Sequence, residues 1–125
     1  MQDLIVEGTG SIPAIRADWE AGCVEMKGDS YPENAFELYQ PVIDWIEAFL
    51  VRENRPLRLQ LQLLYLNTSS IRAMMDMLDQ LQGAHDGGRA VGVEWRYERE
   101  NERVAELAEE FREDYTFPFD ILAHD

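Results

Sequence analysis

The stretch Asn67-Thr68-Ser69-Ser70 sets one side-chain amide and three hydroxyls in a row, where the alternating run of residues 57–66 gives way to a helical pattern. Hydroxyls at such a junction can do two kinds of work. Thr68 or Ser69 can cap the helix by accepting a hydrogen bond from a first-turn N–H, for about 1 kcal/mol. A hydroxyl there can also accept phosphate, because the unpaired N–H groups and the positive end of the helix dipole stabilise an anion. A phosphate on Thr68 adds about −1.5 to −2 charges. Arg72 stands four positions on, on the same helical face and within reach of it. Three hydroxyls exceed what one cap requires, and both readings stand on these residues alone.

Other candidate chemistry is sparse. His85 lies in a Gly-rich loop, His124 at the end of the chain and Cys23 far from both, without the short spacings of metal ligands. No metal and no cofactor are expected. The glycines of GTGS and DGGR match neither the P-loop nor the dinucleotide-binding pattern. The carboxylates Glu109, Glu110, Glu113 and Asp114 read as a solvated helix face, and no pair among them is marked out for catalysis. The reading is therefore of a non-enzyme.

The elements that must hold residues 67–70 come from periodicity. Leu57, Leu59, Leu61 and Leu63 alternate with Arg58, Gln60, Gln62 and Leu64, a period of two that marks a strand. Its Arg and Gln positions imply that much of one sheet face is open, which favours two layers with helices mainly on one side. The next helix is expected to bury Ile71, Met74, Met75, Leu78 and Leu81 and to stop near Gly83; Met77 falls outside that stripe, and two readings stand for it, an exposed contact or packing inside with Met74 and Met75. An exposed Met is an adaptable interface contact.

Upstream, CVEMKGDS reads as a strand in a hairpin with an earlier strand near residues 12–19. Ser30 and Glu33 have capping-box spacing, so a helix is expected to begin there, with Pro32 in its first turn and a kink or restart at Pro41. Its inward stripe is Phe36, Tyr39, Ile43, Ile46 and Leu50, widened by Val42 and Phe49. Leu38 and Trp45 lie beside that stripe and extend an apolar surface able to receive a partner helix. Downstream come a strand in AVGVEWRY, an acidic helix with Val104, Leu107, Ala108 and Phe111 inward, and a short strand in YTFPFDIL with Pro118 at an edge. The order β, β, α, β, α, β, α, β predicts α/β architecture, with a single small mixed sheet and its helices mainly on one face.

Bulk composition bounds the partners. The 125 residues suit one domain spanning 1–125, and 46% hydrophobic residues suffice for a core. Twenty-five acidic against eleven basic residues give a net charge of −14, which repels nucleic acid and anionic membranes. One cysteine, no signal-like N-terminus and no long apolar run lead to the expectation of a cytoplasmic protein that does not enter a bilayer.

GDSYPENAFELYQPVIDWIEAFL, the strand ending in YLNTSS and the helix IRAMMDMLDQL together resemble the SiaC family of bacterial regulatory phosphoproteins, from about Ile12 to the FPFDI segment. The resemblance implies a fold like the STAS domain of anti-anti-sigma factors, with Thr68 as phosphoacceptor. It further implies a SiaB-like kinase of the anti-sigma type, a SiaA-like PP2C phosphatase, and a SiaD-like diguanylate cyclase. The unphosphorylated form would activate that cyclase, raising cyclic di-GMP and promoting aggregation and biofilm formation. Asn67, Ser69, Ser70, Arg72 and Met77 are the expected partner contacts around Thr68. Anti-anti-sigma factors usually carry Asp-Ser where this chain has Asn67-Thr68. An anti-anti-sigma factor acting on an anti-sigma protein is the alternative reading, followed by a small acidic enzyme and a plain oligomerisation module.

Overall fold

The computed structural model describes residues 2–124. Six strands and three helices follow the order β1 (Leu4–Val6), β2 (Ala14–Asp18), β3 (Cys23–Ser30), α1 (Ala35–Arg52), β4 (Leu57–Leu66), α2 (Thr68–Asp86), β5 (Val91–Glu98), α3 (Glu102–Glu113) and β6 (Phe119–His124). All six strands form one sheet in sequence order. β1, β2 and β3 are antiparallel neighbours, whereas β3, β4, β5 and β6 run parallel. The mixed sheet is as expected; β1, only three residues long, is an addition.

Why the helices share one face follows from the strand order. Each parallel crossover advances to the next strand without reversal, and crossovers are right-handed in nearly all proteins, so each helix packs on the same side. Val24, Met26, Leu57, Leu59, Leu61, Leu63, Val91, Val93 and Trp95 point to the helices and are buried. Glu25, Lys27, Arg58 and Arg96 point the other way and are exposed. An order without reversal also lacks the crevice that forms where strand order switches, the usual ligand site of open α/β sheets.

Several local expectations are corrected. Asn34, not Ser30, caps α1: its Oδ1 accepts from the Glu37 N–H at 3.1 Å. The helix thus starts later than the Ser30–Glu33 spacing suggested, and it runs through Pro41 unbroken. The true buried stripe is Ala35, Tyr39, Val42, Trp45, Ile46 and Phe49. Trp45 belongs to the core, stacked on Phe49 with centroids 5.6 Å apart, while Phe36 stands 72% exposed. α2 does not stop at Gly83 but continues to Asp86 with Gly87 as its cap. Among the described residues, no helix is long and apolar enough to cross a membrane, and no cluster of His, Cys, Asp or Glu could hold a metal ion.

Candidate functional site

β4 delivers Thr68 to its place through an irregularity. Gly28 pairs with Leu63 but Asp29 pairs with Tyr65, so Leu64 is the extra residue of a β-bulge. Such an insertion reverses which face the following residues meet. Leu66 therefore turns into the core, while Leu64 and Tyr65 are exposed. Tyr65 meets the exposed Tyr31 edge-on, with centroids 6.1 Å apart. The chain then turns directly into α2.

Asn67 is the N-cap of α2, and every polar group it has is engaged. Its Oδ1 accepts from the Ser70 N–H at 2.9 Å, and its carbonyl accepts from the Ile71 N–H at 2.9 Å. Its own N–H donates to the Ser30 carbonyl at 2.8 Å, and its Nδ2 donates to the Pro32 carbonyl at 3.4 Å. The capping duty offered to Thr68 or Ser69 is thus taken by the amide before them. Thr68 and Ser69 occupy the first two helical positions and are exposed. Their N–H groups are among those with no acceptor inside the helix.

The third hydroxyl has a different fate. Ser70 is fully buried, as is Ser30. Ser30 Oγ lies 2.7 Å from Ser70 Oγ and 2.6 Å from Tyr39 Oη, a chain of hydroxyls joining β3, α1 and α2. Burial pushes the Tyr39 phenol above its ordinary range, with the two serine hydroxyls pulling it back. The expectation that Ser70 meets a partner is corrected by this burial. Met77 is corrected likewise: it is 0% exposed, and Met75, expected inside, is 42% exposed. The α2 stripe is Ser70, Ala73, Met74, Met77, Leu78 and Leu81, so small and polar residues at 70 and 73 hid its centre from a reading by hydrophobicity.

Between the N-terminal ends of α1 and α2 lies a groove of about 460 Å³, lined by Asn34, Phe36, Tyr39, Thr68, Arg72 and Asp76 among others. Arg72 is exposed and pairs with none of the described residues. Of the residues expected at the site, Thr68, Ser69 and Arg72 line this groove, Asn67 caps the helix just before them, and Ser70 is buried. Sequence reasoning misses Phe36, because hydrophobicity alone places its ring in the core. The Asn34-Ala35-Phe36-Glu37 spacing, itself that of a capping box, would have moved the helix start and turned Phe36 outward.

The whole chain is similar to proteins of one kind. The model of the SiaC family regulatory phosphoprotein matches residues 6–124. An uncharacterized protein of Pseudomonas aeruginosa (strain UCBPP-PA14) is 65% identical over 125 residues, covering 100% of this chain and 99% of that protein. SiaC of Pseudomonas aeruginosa is 63% identical with a TM-score of 0.94, covering 99% of this chain and 100% of that one. A chain in the crystal structure of the diguanylate cyclase SiaD in complex with its activator SiaC, also from Pseudomonas aeruginosa, is 65% identical. Its TM-score is 0.96, and the match covers 98% of this chain and 100% of that one.

Proposed function

Because the chain belongs to the SiaC family of regulatory phosphoproteins, we propose that it is a non-catalytic switch acting on a diguanylate cyclase of the SiaD kind. Its unphosphorylated form binds and activates the cyclase, raising cyclic di-GMP and promoting aggregation and biofilm formation. A kinase of the SiaB, anti-sigma type phosphorylates Thr68, and a PP2C phosphatase of the SiaA kind removes the phosphate. Both act in the cytoplasm, on a chain that forms one regulatory domain.

The observation that carries this reading is the position of Thr68, exposed in the first turn of α2 and relieved of capping by Asn67. It also lines the same groove as Phe36, Arg72 and Asp76. In the unphosphorylated state the groove offers a partner an apolar ring, a free guanidinium and small hydroxyls. Asn67, Ser69 and Arg72 remain its contact residues, and Phe36 takes the place expected of Met77. Phosphate on Thr68 adds a dianion beside Asp76 and Glu33, which line the groove too. Arg72 in the same groove offsets part of that charge; burying the uncompensated remainder against a partner costs several kcal/mol, and each 1.4 kcal/mol is about tenfold in affinity.

The test titrates a purified SiaD-type cyclase with the wild-type chain, Thr68→Ala and Thr68→Asp while cyclic di-GMP is followed. Thr68→Ala should activate as wild type does, and Thr68→Asp should require at least about tenfold more protein. Equal activation by the two variants would overturn the charge switch, and no activation by any of the three would overturn the cyclase as target. Intact-mass analysis of the protein from its host addresses the modification. A single phosphate on Thr68 should accumulate when the phosphatase is deleted, and its absence there would overturn Thr68 as acceptor.

A further inference from the structure

The parallel part of the sheet, β3 to β6, has helices on one face only, whereas parallel sheets are ordinarily covered on both. The bare face is not a random polar surface. Three adjacent strands each carry a pair of outward residues separated by one inward residue, Glu25 and Lys27 on β3, Gln60 and Gln62 on β4, Glu94 and Arg96 on β5, with Arg58 and Glu98 outward beyond them. The register sets Glu25 beside Gln60, Lys27 beside Gln62, and Gln60 beside Glu94. Two rows follow on these three strands, Glu-Gln-Glu, continued by Arg16 on β2 and Asp120 on β6, and Lys-Gln-Arg; the six side chains of the three strands line a hollow of about 260 Å³.

Rows of opposite sign one step apart are self-complementary. Consider a two-fold axis lying between two facing sheets, perpendicular to the strands and midway between the rows. It sets Glu25 of one copy opposite Lys27 of the other, Gln60 opposite Gln62, and Glu94 opposite Arg96, each of these twice. That reciprocity is the requirement of an isologous interface. Net charge argues for the same occupant. The chain carries 25 acidic and 11 basic residues, so two copies repel each other over most of their surfaces. In this patch Glu25 and Glu94 are matched by Lys27 and Arg96, and like molecules can approach.

We propose that the open sheet face is the contact surface of a homodimer, in register through the Glu25/Lys27, Gln60/Gln62 and Glu94/Arg96 doublets. Six strands about 4.8 Å apart span about 24 Å, so the footprint is at the small end for specific interfaces and the dimer is a weak one.

Sedimentation velocity of the unphosphorylated full-length chain, over a concentration series reaching about 500 µM, reads such a weak association directly. Reversible dimerisation is expected. Glu94→Arg places like charges opposite each other in both copies and should weaken it at least about tenfold. The exchange variant Glu94→Arg with Arg96→Glu keeps the composition, the net charge and the acid–base pairing within β5, and should restore self-association. Wild-type and exchange chains carrying a fluorescence donor and acceptor should each pair with their own kind and not with each other. A chain that stays monomeric throughout the series overturns the proposal. Undiminished dimerisation of Glu94→Arg, or free mixing of wild-type and exchange chains, overturns this face as the contact.

Discussion

Asn67 and Thr68 are neighbours with opposite assignments, and the difference can be weighed in stability. Asn67 ties the head of α2 to the end of β3 and to the Pro32 carbonyl. Asn67→Ala should cost about 1–2 kcal/mol, the range for a lost cap with a lost tertiary bond. Thr68→Ala removes no cap and should stay within about 0.5 kcal/mol of wild type. Urea denaturation of both decides the matter, and equal losses would return the cap to Thr68. Two phenols give a second measurable consequence. Burial raises the Tyr39 pKa, and burial followed by the Asp79 hydrogen bond raises that of Tyr115, whose Oη donates to Asp79 Oδ1 at 2.8 Å. Folded, both hold their protons beyond the pH near 10 at which an unfolded Tyr releases its own. Their contribution to stability is complete below that pH and is lost above it. The urea midpoint should therefore fall as pH rises from about 10 to about 11, and Tyr115→Phe should make that fall smaller. An unchanged slope in the variant would mean that Tyr115 ionises alike in both states.

The β2–β3 hairpin and α2 each contain a glycine, and their opposite roles show what elements demand of single positions. Gly22 sits at φ +64°, and a Cβ there would lie 2.6 Å from the Pro56 carbonyl oxygen and 3.1 Å from the Phe49 ring. Gly22→Ala should cost more than about 2 kcal/mol, combining left-handed strain with the clash. Gly83 lies inside α2, where a Cβ would meet nothing within 4 Å, so Gly83→Ala should stabilise by about 0.5–1 kcal/mol through helix propensity. Thermal melts of the two should shift in opposite directions, and a stabilised Gly22→Ala would mean that the hairpin yields. Elements of this kind were legible in the sequence where periodicity was strong. The leucine alternation from Leu57 to Leu63 and the Val104–Phe111 stripe both report burial on one face only. β1 was not legible, because three residues carry too little pattern, and neither was the bulge at Leu64, because an unbroken apolar run conceals an inserted residue. The site divides in the same way. That Thr68, Ser69 and Arg72 share one groove follows from their type and spacing at a helix start, whereas the burial of Ser70 depends on Ser30 and Tyr39, which only the tertiary fold brings near.

A net charge of −14 acts on the molecule as a whole. For a chain of this length a compact fold has a radius of gyration of about 14 Å. At about 0.01 M salt the screening length is about 30 Å, so each surface carboxylate interacts with those across the entire molecule, whereas at about 0.15 M the reach shrinks to about 8 Å. Folding gathers these charges together, and their mutual repulsion opposes the compact state. Surface pairs such as Arg55–Glu53 and Arg96–Glu94 pull in the opposite sense. Exposed pairs of that kind contribute only about 0–1 kcal/mol each, and salt screens them as well. Repulsion therefore dominates the salt response. The melting temperature should rise by several degrees between about 0.01 M and about 0.15 M NaCl, in line with a gain of about 1 kcal/mol at this chain length. Scanning calorimetry at fixed pH and protein concentration tests this, with both concentrations of salt measured on the unphosphorylated chain. A melting temperature that falls with salt would show that attractive pairs outweigh the acidic surplus. The phosphorylated chain, more negative by a further about 1.5 to 2 charges, should show the steeper rise, because the added charge joins the same unscreened field.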